Sequence, residues 1–205
     1  MVLRLPFSAA PFSAALARAV VLRLLLALML LVGLAPARAD GVELVQLSTE
    51  RAEDGLLMSF STRFELPRPV EDALLKGVPI YFTAEASVLR SRWYWRDERV
   101  SRVSRSWRLA WQPLTRQYRV SNGGLHQSYV TLPEALASLR GIAGWRLAEG
   151  KDLEEGSRYY LEFSYRLDTS QLPRPMQIGL GSPQGWALSV ERSLALNPDL
   201  TSNKP

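Results

Sequence analysis

Between Arg90 and Trp111 seven arginines, at 90, 92, 96, 99, 102, 105 and 108, are interleaved with Trp93, Tyr94, Trp95, Trp107 and Trp111. A guanidinium over an indole gains about 0.5–2 kcal/mol per pair, and exposed Trp and Arg are frequent anchors of binding surfaces. The stretch supports two readings. In the first, Arg92, Trp93, Trp95, Arg96, Arg99, Arg105 and Trp107 form an interaction surface for an anionic glycan, a lipid headgroup or a partner protein. In the second, the same residues are an Arg–Trp ladder that stiffens one sheet face. The second draws on phase, because Trp93, Trp95, Trp107 and Trp111 all fall on inward-facing odd positions.

Other residues capable of chemistry are sparse. His126 is the only histidine, and there is no cysteine. One imidazole without thiolates does not build a His/Cys metal site, and as a general base it would need a nucleophile and an orienting acid beside it. Its ordinary reading is a surface or half-buried strand position. Gly179–Gly185 (GLGSPQG) lacks the Lys-Ser/Thr of a phosphate loop and leads to a strand, whereas phosphate cradles need a helix N-terminus. The acid pairs Asp97/Glu98 and Glu154/Glu155, with Asp152 nearby, sit in predicted turns and read as solvated charge. No catalytic residue, metal or cofactor is assigned.

These residues must be positioned by mostly pleated elements. Leu56, Met58, Phe60, Thr62 and Phe64 alternate with polar neighbours over Leu56–Glu65, and Asp54-Gly55 joins that strand to Val42–Leu47 as a hairpin. Ile80–Val88 alternates with Ile80, Phe82, Ala84, Ala86 and Val88 inward. A bulge or bend is predicted near Arg90–Arg92, then a turn at Arg96–Glu98 and a return strand over Val100–Trp111. Gln117–Val120 and Leu125–Val130 flank the turn Asn122-Gly123-Gly124. Tyr159–Leu167 is the clearest alternation, and Trp186–Val190 closes the set. Two segments read as helices: Pro69–Lys76, and Leu132–Arg140 behind the capping box Thr131/Glu134. The predicted class is all-β, an antiparallel β-sandwich or partly open barrel of about eight strands with two short covering helices.

The N-terminus sets the compartment. Arg4, Arg18 and Arg23 precede the apolar run Leu24–Leu34, then Pro36 and Ala37-Arg38-Ala39. That pattern predicts a signal peptide over 1–39, cut at Ala39/Asp40, and delivery to the periplasm. The run falls short of the roughly 20 residues that span a bilayer, and no cysteine follows it for lipid attachment. Removing four leader arginines from the 25 basic residues leaves 21 against 20 acids, a net charge of +1. The basic character therefore belongs to the leader, and no nucleic-acid partner is expected. Residues 40–196 are read as one domain and 197–205 as a disordered tail.

Four stretches resemble a family of exported Gram-negative bacterial proteins built on a domain of unknown function, some labelled proline-rich signal peptide protein. They are Ala73–Ile80 (ALLKGVPI), Arg92–Asp97 (RWYWRD), Leu114–Val120 (LTRQYRV) and Leu172–Pro175 (LPRP). The resemblance covers most of residues 42–192. It carries no catalytic residue. Genes of this family often lie beside one for a nitrogen-regulation-type sensor kinase, which implies a signalling link across the inner membrane by association. Three functions follow for test: a periplasmic binding module whose partner is a membrane or envelope protein; an envelope lipid or ligand carrier with a cavity lined by Phe60, Phe82, Phe163 and Tyr165; and a hydrolase of unfamiliar type using His126. The oligomeric state is left open.

Overall fold

A computed structural model describes residues 41–94, 96–172 and 186–204. The predicted leader, the Gly179–Gly185 loop and Trp95 lie outside these residues.

Among the described residues ten strands and two α-helices follow one another as β1 (Glu43–Ala52), β2 (Gly55–Arg63), α1 (Arg68–Leu75), β3 (Ile80–Arg90), β4 (Glu98–Gln112), β5 (Gln117–Asn122), β6 (Leu125–Tyr129), α2 (Leu132–Leu139), β7 (Gly141–Glu149), β8 (Tyr159–Leu167), β9 (Ser189–Ala195) and β10 (Ser202–Lys204). They build two antiparallel sheets, ordered β10-β1-β2-β7 and β6-β5-β4-β3-β8-β9. The fold is an all-β sandwich with two helices, not a closed barrel.

Alternation places the core where period two predicts. Ile80, Phe82, Ala84, Ala86 and Val88 on β3, and Tyr159, Leu161, Phe163, Tyr165 and Leu167 on β8, are all buried. Phe60 and Met58 of β2 meet them from the other sheet. The rings of Phe60 and Phe163 stand 4.8 Å apart, and Tyr165 lies 5.9 Å from Phe60, Phe64 and Phe82. The Tyr165 hydroxyl donates to the Leu139 carbonyl at 3.0 Å, so the buried phenol also satisfies the last turn of α2. That helix begins with the predicted capping box, Thr131 and Glu134 each reaching the other's backbone N–H.

Four expectations need correction. Part of the predicted 197–205 tail is paired: Ser202–Lys204 joins Leu47–Thr49 as an edge strand, and Thr49 Oγ1 donates to the Leu200 carbonyl at 2.8 Å. Strand β7 is unforeseen. Its pairing with β2 shifts register twice, which puts Trp145, Leu147 and Ala148 inside and breaks period two. The last strand of the six-stranded sheet starts at Ser189, later than Trp186, whose indole is buried ahead of it. Finally, the four rings proposed to line an acyl cavity are themselves buried and pack on one another, Phe60 against Phe163 and Tyr165, and Phe82 against Tyr165.

Candidate functional site

Strands β3 and β4 form one long hairpin, closed where Arg90 pairs with Glu98. Its register slips between Val88 and Leu89, which lie opposite Ser101 and Arg99 and leave Val100 as the extra residue. The irregularity therefore sits inside the paired strands, just below the position near Arg90–Arg92 where a bulge or bend is predicted. Residues 91–94 and 96–97 lie at the tip. There Trp93 is 94% exposed and Tyr94 68% exposed, their rings edge-on at 4.9 Å.

The seven candidate residues separate into distinct roles. Trp107 is 4% exposed and faces the core opposite Phe82. Arg105 shares that phase opposite Ala84, but it lies at the rim and sets its guanidinium 5.8 Å from the Trp145 ring of the facing sheet. These two belong to the ladder reading. Arg92 joins an ion cluster at the base of the tip. Trp93, Arg96 and Arg99 are exposed, and Trp95 lies outside the described residues. Inward parity thus fails for Trp93, because the hairpin has left the paired sheet by that point.

The base of the tip is braced. The Glu98 carboxylate accepts from Arg90 and Arg92, and Arg90 also reaches Glu154 on the β7–β8 connection. Asp97 accepts from the Arg92 backbone N–H at 3.2 Å and from the Tyr160 hydroxyl at 2.8 Å. The Ser91 N–H donates to the Arg158 carbonyl at 2.9 Å. Electrostatics follow the contacts. Hydrogen bonds to Glu154 and Glu98 hold the Arg90 guanidinium protonated beyond its ordinary range. The hydrogen bond from Arg90 draws the Glu98 carboxyl below the usual carboxylate range. Donation to Asp97, with some desolvation, raises Tyr160 to about 12. Asp97, Glu98 and Glu154 were expected as solvated turn charge, yet they lash two loops together. Tyr160, on the polar row of the Tyr159–Leu167 alternation, is not among the candidate residues that the sequence singles out. It lies opposite Leu89 near the hairpin's end, a pairing that only the folded sheet sets.

Elsewhere the chemistry is thin. His126 is exposed on β6 and paired in register with Ser121. It borders a groove of about 210 Å³ with Trp107, Val120, Tyr129 and Ser138. The Ser138 hydroxyl donates to the Ala135 carbonyl, and no acid lines that groove. A wider groove of about 430 Å³ crosses the outer face of the six-stranded sheet past Glu85, Glu162 and Glu191. There Glu85 is paired with Arg102 at 2.7 Å. Among the described residues no group of three or more His, Asp or Glu could hold a metal ion, and no helix is long and apolar enough to cross a membrane.

A family model described as a domain of unknown function, DUF4390, matches residues 39–194. Neither the curated proteins nor the solved structures give a significant match to the chain.

Proposed function

The chain belongs to the DUF4390 family of domains of unknown function, and from that premise we propose that it is an exported, non-enzymatic binding module of the cell envelope that docks on a membrane partner through the β3–β4 tip. The observation that carries this reading is the contrast between the tip and its base. Ion pairs and hydrogen bonds tie Arg92, Asp97 and Glu98 to Arg90, Glu154 and Tyr160, yet they bury neither Trp93 nor Tyr94. Preorganised aromatic rings left in water lose little further entropy on binding, which is what makes such rings energetic anchors. Exposed Arg96 and Arg99 beside them add donors for anionic groups.

Export is supported by the leader pattern, and the family match begins at residue 39, where that leader is expected to end. A membrane sensor kinase is the partner class that the family resemblance suggests. The test replaces Tyr94 with p-benzoyl-phenylalanine in the full chain, irradiates intact envelopes and identifies adducts by mass spectrometry. A single membrane-protein adduct that disappears with Trp93→Ala supports the proposal. Adducts only with lipid, or the same adducts from a photoprobe placed at Ser193 on β9, refute it.

A further inference from the structure

The described sheet edges are unequal. Strand β9 carries Glu191 and Arg192, β7 carries Arg146 and Glu149, and β10 is three residues long. Charge and brevity are the ordinary guards against strand addition. Strand β6 is outermost in the six-stranded sheet and has neither guard. No Lys, Arg, Asp or Glu occurs from Ser121 to Pro133, and the β5–β6 register runs without a bulge. Leu125 is 80% exposed and Val130, just beyond the strand, 70%.

The turn determines which backbone groups remain unpaired. Gly123 and Gly124 have φ of 56° and 89° and join Asn122 to Leu125 in a two-residue hairpin. In such a hairpin the closing pair exchanges hydrogen bonds, and bonded positions then alternate. Leu125, Gln127 and Tyr129 therefore bond toward β5. The N–H and C=O of His126 and Ser128 point away from the sheet.

We propose that β6 is the pairing edge of a homodimer, two copies joining antiparallel about a two-fold axis at Gln127. That register sets His126 opposite Ser128 twice and so makes four main-chain hydrogen bonds. It sets Leu125 opposite Tyr129 on one face, and Gln127 opposite its own copy in a non-bonded pair. Apolar meets aromatic, polar meets polar, and no charge is buried. An axis at His126 would instead put Leu125 against Gln127, and one at Ser128 would put Val130 against His126. The second copy is the occupant because the strand is complementary to itself in this register. Five paired residues cover less than the about 800 Å² per partner of a standard interface, so the dimer is concentration-dependent.

The chain has no cysteine, which gives the test a clean background. Non-bonded antiparallel pairs have Cα atoms about 4.5 Å apart, inside the range a disulfide spans. Gln127→Cys in the full chain should give a covalent dimer under mild oxidation, whereas Ser193→Cys, exposed on the other edge, should remain monomeric. By sedimentation equilibrium the cysteine-free protein should dimerise as concentration rises. Ser128→Pro removes an outward N–H and should stay monomeric with its melting temperature kept. A monomeric Gln127→Cys, equal dimer from Ser193→Cys, or a cysteine-free chain that stays monomeric while β6 takes up a foreign peptide would overturn the proposal.

Discussion

Two tryptophans of one hairpin should respond oppositely to truncation. Trp107→Ala empties a site 6.2 Å from the Tyr165 ring within the core. Large-to-small changes of this kind cost about 3–5 kcal/mol. In a domain of this size each kcal/mol lowers the melting temperature by about 2–4 °C, so the loss should be about 6–20 °C. Trp93→Ala removes a ring that is almost wholly in water and stands edge-on to Tyr94. Its effect on folding should stay within about 0.5 kcal/mol. Binding reverses the order. An indole of about 200 Å², buried at about 25 cal/mol per Å², is worth up to about 5 kcal/mol. Hot-spot truncations realise about 2–4 of that, or about 30- to 700-fold in Kd. The assay pairs circular-dichroism melts with photocrosslinking yield from position 94. The reasoning fails if Trp93→Ala lowers the melting temperature as far as Trp107→Ala does, or leaves the yield unchanged.

The Glu98 carboxyl is held below its ordinary range by Arg90, so its stabilising contribution is present above the unfolded-state pKa near about 4.3 and is lost as pH falls through the lower folded value. Glu98→Gln should flatten the fall in melting temperature between neutral and strongly acidic pH, and an unchanged acid limb would contradict the bracing described at the tip. Tyr165→Phe strands the Leu139 carbonyl and should cost about 1–2 kcal/mol in urea unfolding; a neutral result would mean that the bond contributes nothing. Gly55 has φ +141°, and an added Cβ would meet the Ala148 carbonyl oxygen at 2.1 Å. Gly55→Ala should therefore destabilise by at least about 2 kcal/mol, read by the same titration.

Elements whose signals are local were legible in the chain. The buried face of β8 is five alternate residues, the capping box of α2 needs only Thr131 and Glu134, and the β5–β6 turn is set by two adjacent glycines. What escaped depends on distant partners. Strand β7 (GIAGWRLAE) shows no alternation because its pairing with β2 shifts register twice, and Gly141 sits where a Cβ would come within 2.6 Å of the Phe60 carbonyl oxygen. The short β10 has too few residues for a pattern and exists through its pairing with β1. At the candidate site the residue types were visible, but the division among them was not. Nothing local to Glu154 or Tyr160 says that each reaches a loop more than fifty residues earlier.

Read alone, the order of residues settled the pleated class, the hairpin partners, the inward rows of β3 and β8 and both helices. Each of these follows from side-chain alternation or from the φ a turn residue can adopt, and those forces act over a few neighbours. Only the folded chain decided that Trp107 is core, that Trp93 of the same parity is in water, and that Arg105 rests on Trp145. Parity says which way a side chain points. Whether a second sheet lies there to cover it is determined by where the opposite layer ends, and at Trp93 the chain has left the paired strands, beside contacts made by Glu98, Asp97 and Glu154.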